Sequence, residues 1–267
     1  MAGPFAGGKR NAVHSIALHD LLWRDEPTST TSGGIRFHEQ RLQLIRTHEQ
    51  LRIFVTSPGL RDRLIALGIE GDRIVDVRFG VDDDAVTGAT PETVRGLLVE
   101  HGIIGPFTLY AGTLEPRKNI ERLVAAHELA RTASSDVGDL VIVGPNGWGE
   151  VVTGKAKVLG LVPRAMLKGL YRDCSLFAYV PRAEGYGLPP VEALHAGTRV
   201  VASATTPSVA NNECVVVVDP LDVDAIAHGL VRAVALDDGP SDAAKRQASV
   251  SDLTWRNAAL DHLAGWE

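Results

Sequence analysis

Two short segments of this sequence carry residue types that handle anions and hydroxyl groups. The first, Gly112-Thr-Leu-Glu-Pro-Arg-Lys-Asn119, sets Arg117 beside Lys118 between a strand-like run and a helical one. Ligands of open α/β sheets gather at the carboxyl ends of the strands. Two adjacent cations there can meet an anion such as a diphosphate. By itself, the dipeptide reads equally as a solvated basic turn. The second segment is Glu184-Gly-Tyr-Gly-Leu-Pro-Pro-Val-Glu192. Gly185 and Gly187 let a backbone approach a ligand closely, and Pro189 or Pro190 suits the first turn of a helix. A helix start offers N–H groups and a positive dipole end to phosphate or sugar oxygens. Glu184 in the loop and Glu192 in the first helical turns can line one crevice. Their carboxylates can accept hydrogen bonds from sugar or ribose hydroxyls. Glu192 near a helix N-terminus is also favourable on electrostatic grounds alone.

The elements that must position these residues alternate between apolar runs and helical patterns, the signature of a parallel α/β sheet. Strands are expected at 12–18, 51–56 and 74–77, with a helix over 35–48 that turns Ile35, Leu42 and Ile45 inward. Ser57-Pro58 reads as a helix start. The rhythm breaks over 78–89, where Gly80, three aspartates and Gly88 mark a boundary. It restarts with strands at 107–111, 140–143, 157–159, 176–180, 199–202 and 214–218. Helices are expected at 119–132, 163–172, 189–196, 222–236 and 254–266. The organisation expected is therefore a first domain over 1–89 with only three strands, the back half of a larger one. A linker and first helix over 90–103, a complete doubly wound domain over 104–250 and a C-terminal helix over 251–267 follow.

Composition bounds the function. The 267 residues carry a formal charge of −6, which excludes a nucleic-acid footprint over the whole chain. The two cysteines, Cys174 and Cys214, form no CxxC or metal-ligand spacing. That argues for a reducing cytoplasm and for two buried thiols. No apolar run approaches a membrane span, and the start of the chain lacks the core of a signal peptide. Peripheral membrane contact stays open. Asp82-Asp83-Asp84 reads as a solvated turn and no metal site is expected.

Together the segments resemble the retaining glycosyltransferases of family 4, of GT-B type. The resemblance adds Gly144-Pro-Asn-Gly-Trp-Gly149, similar to a loop of mannosyltransferase-like members. It also adds Phe79-Gly-Val-Asp82 and Val13-His-Ser-Ile-Ala-Leu-His-Asp20, all in the family's order. It implies two Rossmann-like doubly wound domains, the first truncated by about a hundred residues at its front. The implied reaction moves a hexose from a nucleotide-diphosphate sugar to a glycan or lipid-linked acceptor in polysaccharide biosynthesis. It would proceed with retention, in the cytoplasm or at the inner membrane face, without a cofactor. The Gly-Trp-Gly loop suggests GDP-mannose as donor.

The resemblance also implies roles. Arg117 and Lys118, with Gly112, would receive the diphosphate. Glu184 would hold the transferred sugar with the backbone of Gly185, Tyr186, Gly187 and Leu188, and Glu192 would grip the ribose. Gly160, Leu161 and Val162 would lie against the base. His19, at the end of the first strand, would face the sugar as the other catalytic residue. The family's Pro-Glu-Val is Pro207-Ser-Val209 here, so one donor contact or cap is changed. Two other readings remain: a non-catalytic nucleotide-sugar-binding remnant, and a nucleotide-sugar epimerase of the same fold.

Overall fold

A computed structural model describes residues 14–81 and 87–266. The expected aspartate turn at 82–84 and the residues before His14 lie outside the described residues. The chain divides into two compact units, residues up to 80 together with those from 253, and residues 81–252.

The first unit runs β1 (His14–Leu18), α1 (Leu22–Asp25), α2 (Ser32–Thr47), β2 (Leu51–Val55), α3 (Pro58–Ala66) and β3 (Ile74–Asp76). Its three strands are parallel, in the order β1-β2-β3. Helix α2 starts before the expected residue 35 because Thr31 caps it, its hydroxyl accepting from the Gly34 amide at 3.1 Å. Leu42 and Ile45 are buried and Ile35 partly so, against Ile53, Val55 and Leu64.

The second unit runs α4 (Pro91–Glu100), β4 (Phe107–Ala111), α5 (Ile120–Ala133), β5 (Asp139–Val143), β6 (Lys157–Gly160), α6 (Arg164–Asp173), β7 (Leu176–Tyr179), α7 (Leu188–His195), β8 (Val200–Ser203), β9 (Val215–Val218), α8 (Val223–Val234) and α9 (Pro240–Ala248). All six strands are parallel, in the order β6-β5-β4-β7-β8-β9. Strands β4, β7 and β8 are buried along their whole length, as a parallel sheet covered on both faces requires. The order reverses between β4 and β7, which opens a crevice at their carboxyl ends. This is the α/β architecture with parallel sheets that the sequence implies.

Helix α10 (Trp255–Ala264) returns to the first unit. His262 stacks on Phe54 at 4.9 Å, and Arg78 holds Asp261 with Nε at 2.8 Å. Gly80 lies against the backbone of Trp255, where a Cβ would collide.

Three expectations need correction. The division falls at 80/81, ahead of 89. The Ala89 amide donates to the Ala165 carbonyl at 2.7 Å and its carbonyl accepts from Arg172, so this stretch belongs to the second unit. Helix α9 was not expected: 240–248 has no apolar stripe, and its buried residue is Arg246, which donates to the Gly197 carbonyl at 2.6 Å. Cys174 is buried, but Cys214, just before β9, is only half-buried. No helix among the described residues is long and apolar enough to cross a membrane.

Candidate functional site

Four loops leave the carboxyl ends of β4, β5, β6 and β7, and they carry nearly all the expected site residues. Gly112 follows β4 at φ +155°, where a Cβ would meet the Tyr110 hydroxyl at 2.9 Å. The chain then makes a 3-10 turn over Pro116–Lys118 and enters α5 through Asn119, in the left-handed region at φ 62°. Asn119 is buried, and its Nδ2 donates to the carbonyls of Val180 at 2.9 Å and Pro220 at 2.7 Å. It therefore fastens this turn to the end of β7 and to the segment after β9.

That fastening brings Arg117 and Lys118 onto Glu184. Lys118 Nζ lies 2.6 Å from Glu184 Oε2 and donates to the Tyr179 hydroxyl at 2.8 Å. The Tyr179 hydroxyl donates in turn to the same Oε2 at 2.6 Å. Arg117 donates to the Ala183 carbonyl at 2.9 Å, to Glu115 Oε1 at 2.5 Å and, at 3.4 Å, to Glu184 Oε2. The side chains are 13% exposed for Arg117, 11% for Lys118 and 12% for Glu184. This pair is not the solvated turn that the dipeptide alone resembles.

Electrostatics follow from the pairing. Burial pushes the Glu184 carboxyl up, but Lys118, Arg117 and the hydrogen bonds outweigh it, so the carboxyl sits below its ordinary range. Burial and then Glu184 push the Tyr179 phenol well above its ordinary value. It stays a neutral donor. An ammonium has three donors and a guanidinium five. Lys118 uses two and Arg117 three in this cluster.

The Glu184 loop enters α7 through Gly187 at φ +93°. A Cβ there would meet Thr206 Cγ2 at 2.5 Å and Ser208 Oγ at 3.2 Å. Ser208, at the family's altered glutamate position, donates its hydroxyl to the Gly187 carbonyl at 2.6 Å and its amide to the Tyr186 carbonyl at 3.0 Å. The substitution leaves a loop clamp. Pro189 and Pro190 occupy the first turn and carry no N–H. The Gly185 amide serves Glu184 Oε1 at 3.1 Å. Burial, followed by Asp252, raises the Tyr186 phenol to about 12.

Glu192 sits in the second turn of α7. Its Oε2 accepts from the Tyr171 hydroxyl at 3.1 Å and its Oε1 faces Arg164 Nη2 at 3.4 Å. Gly160 closes β6 and accepts from the Gly144 amide at 2.9 Å. Leu161 beside it is 76% exposed and Val162 half-buried. The loop after β5 is zipped to the loop after β4: Leu114 donates to the Pro145 carbonyl and Gly147 to the Leu114 carbonyl, both at 2.9 Å. Among the described residues no group of three or more His, Cys, Asp or Glu is placed to hold a metal ion.

His19 belongs to the first unit. It is exposed after β1, with Nδ1 3.4 Å from Thr56 Oγ1 and its ring stacked on Phe79 at 5.4 Å. Sequence reasoning missed Tyr179, Tyr171, Glu115 and Arg164. A carboxylate beside a buried phenol has no local signature: Tyr171 and Arg164 lie 21 and 28 positions from Glu192, and Glu115 acts through Arg117.

Residues 105–235 match the family described as glycosyl transferases group 1. The chain is 30% identical over 268 residues to the O-antigen chain mannosyltransferase B of Escherichia coli, covering 94% of this chain and 69% of that protein. It is 27% identical over 190 residues to the serotype-specific mannosyltransferase WbdA of Escherichia coli, 65% of this chain but 23% of that protein. Among solved structures, the sucrose-phosphate synthase of Thermosynechococcus elongatus superposes with a TM-score of 0.74 at 21% identity, over 94% of this chain and 66% of that one. HepE of Anabaena, solved with UDP and glucose, gives 0.72 at 19% identity, over 94% and 69%. The chain belongs to the group 1 glycosyl transferases.

Proposed function

We propose that this glycosyltransferase moves a hexose, with mannose from GDP-mannose as the leading donor, from a nucleotide-diphosphate sugar to a glycan or lipid-linked acceptor. The configuration at the anomeric carbon is retained. The bond from that carbon to the diphosphate oxygen breaks, and the oxygen keeps the electron pair. An acceptor oxygen takes its place, and its proton passes to the departing diphosphate oxygen. The observation that carries this reading is the cluster of Arg117, Lys118 and Glu184 at the point where the strand order reverses. Fixed positive groups lower a barrier most where charge develops, and here that is the departing diphosphate. Lys118 and Arg117 meet it, Glu184 with the backbone groups of Gly185 to Leu188 holds the sugar, and Glu192 takes the ribose. The names of the two mannosyltransferase relatives support mannose and a growing polysaccharide. Scarce cysteine supports a cytoplasmic reaction.

The test incubates the chain with GDP-mannose or UDP-glucose and a lipid-linked oligosaccharide acceptor, following nucleotide release and the anomeric configuration by NMR. Acceptor-dependent release of GDP with retention is expected. Diphosphate binding without transfer would make the chain a binding protein, and an epimer formed without acceptor would make it an isomerase. An inverted product would remove the retaining assignment. His19→Ala is expected to lose transfer while keeping diphosphate affinity.

A further inference from the structure

Helix α6 faces Glu192 with two residues seven positions apart, Arg164 and Tyr171. Seven residues are about two helical turns, so both side chains leave the same face. Tyr171 is 3% exposed. Its ring packs edge-on against Phe177 at 5.2 Å, and its carbonyl accepts from Thr198 Oγ1 at 2.5 Å and Cys174 Sγ at 3.2 Å. The core therefore fixes the hydroxyl independently of Glu192. A buried phenol needs a partner, and this one finds Glu192 Oε2. The carboxylate side chain is 22% exposed, so it is held from beneath and open above. Each of its oxygens can accept more than one hydrogen bond. Both keep capacity for two neighbouring hydroxyls.

We propose that Tyr171, with Arg164, is a positioning residue that holds the Glu192 carboxylate in one orientation for the vicinal hydroxyls of a ribose, and so makes nucleotide binding selective for the ribose form. The inference rests on the reading of Glu192 as the ribose-gripping carboxylate. An untethered glutamate would order its rotamers at each binding event, at a cost in affinity. A purely structural Tyr171 would satisfy its own hydroxyl and leave sugar selectivity untouched.

Calorimetry decides between these, using the wild-type chain, Tyr171→Phe and Arg164→Gln. The probes are GDP, UDP and ADP, then the 2′,3′-dideoxy form of whichever binds most tightly. Tyr171→Phe is expected to lose about tenfold in affinity for the ribose form, the scale of one hydrogen bond to a charged group. It is expected to lose less than about twofold for the dideoxy form, which offers that carboxylate nothing. Arg164→Gln, on a side chain 44% exposed, perturbs no core and is expected to lose about threefold in the same selective way. It answers the question even where Tyr171→Phe fails to fold. Equal losses for both nucleotide forms, or no loss, would overturn the positioning role. Equal wild-type affinity for the two forms would instead remove Glu192 from the ribose while leaving the diphosphate reading intact. No binding of any diphosphate would end both.

Discussion

Glu184 and Glu192 begin and end one segment, yet the protein treats them oppositely. Glu184 is sunk among a lysine, an arginine and a phenol, and all three converge on one oxygen. Glu192 lies nearer the surface and splits its oxygens between one phenol and one half-exposed guanidinium at longer range. A carboxylate that balances two buried cations is part of the fold, because removing it leaves charge without a counter-charge. A carboxylate held only from below is free to meet something else. The same residue type is deeply paired through one oxygen at one end of the segment and lightly held through both at the other.

The sharpest way to break this contrast is Glu184→Ala. It strands Lys118 and part of Arg117, and urea unfolding is expected to show a loss of about 3 kcal/mol. A loss of about 1 kcal/mol or less would put Glu184 in the same class as Glu192. Next in size are Lys118→Ala and Arg117→Ala. Each is expected to weaken diphosphate binding by about 1.5–3 kcal/mol in calorimetry without unfolding the chain. Wild-type affinity in both would move the phosphate elsewhere.

The acid limb gives a smaller effect of known sign. The Glu184 carboxyl lies below its ordinary 4.5 in the folded chain. Its contribution is therefore complete above that value. It drains as pH falls through the folded value, because the unfolded chain takes up the proton first. Between pH 6 and 3, wild type should lose more stability than Glu184→Gln, and parallel curves would contradict the pairing. The smallest effect belongs to Glu192→Ala. Thermal unfolding should register about 1 kcal/mol, the low end for a buried hydroxyl left without its acceptor, since the other partner is a half-exposed arginine.

The sequence made the strands of the second unit legible because buried parallel strands read as unbroken apolar runs, such as 107–111 and 176–179. Arg117, Lys118, Glu184 and Glu192 were legible by type and spacing. Their burial was not, because the local context of Arg117-Lys118 is that of any basic turn. Tyr179 and Tyr171 read as ordinary core aromatics, and only the tertiary fold brings their hydroxyls beneath the two glutamates. Helix α9 escaped because a helix carried by one buried arginine has no apolar period.

The Arg182 amide donates to the Arg117 carbonyl at 3.0 Å, and Ser208 grips the carbonyls of both Tyr186 and Gly187. The stretch between Val180 and Leu188 is therefore pinned at both ends through main-chain atoms, to elements built from distant parts of the chain. Main-chain bonds do not depend on which side chain a residue carries. Away from Glu184, substitutions in this loop therefore leave both pins in place, while a change in the number of residues does not. A single insertion or deletion would shift Glu184 away from Lys118 or release Gly187 from Ser208. For this loop, length is constrained as tightly as the one carboxylate it carries.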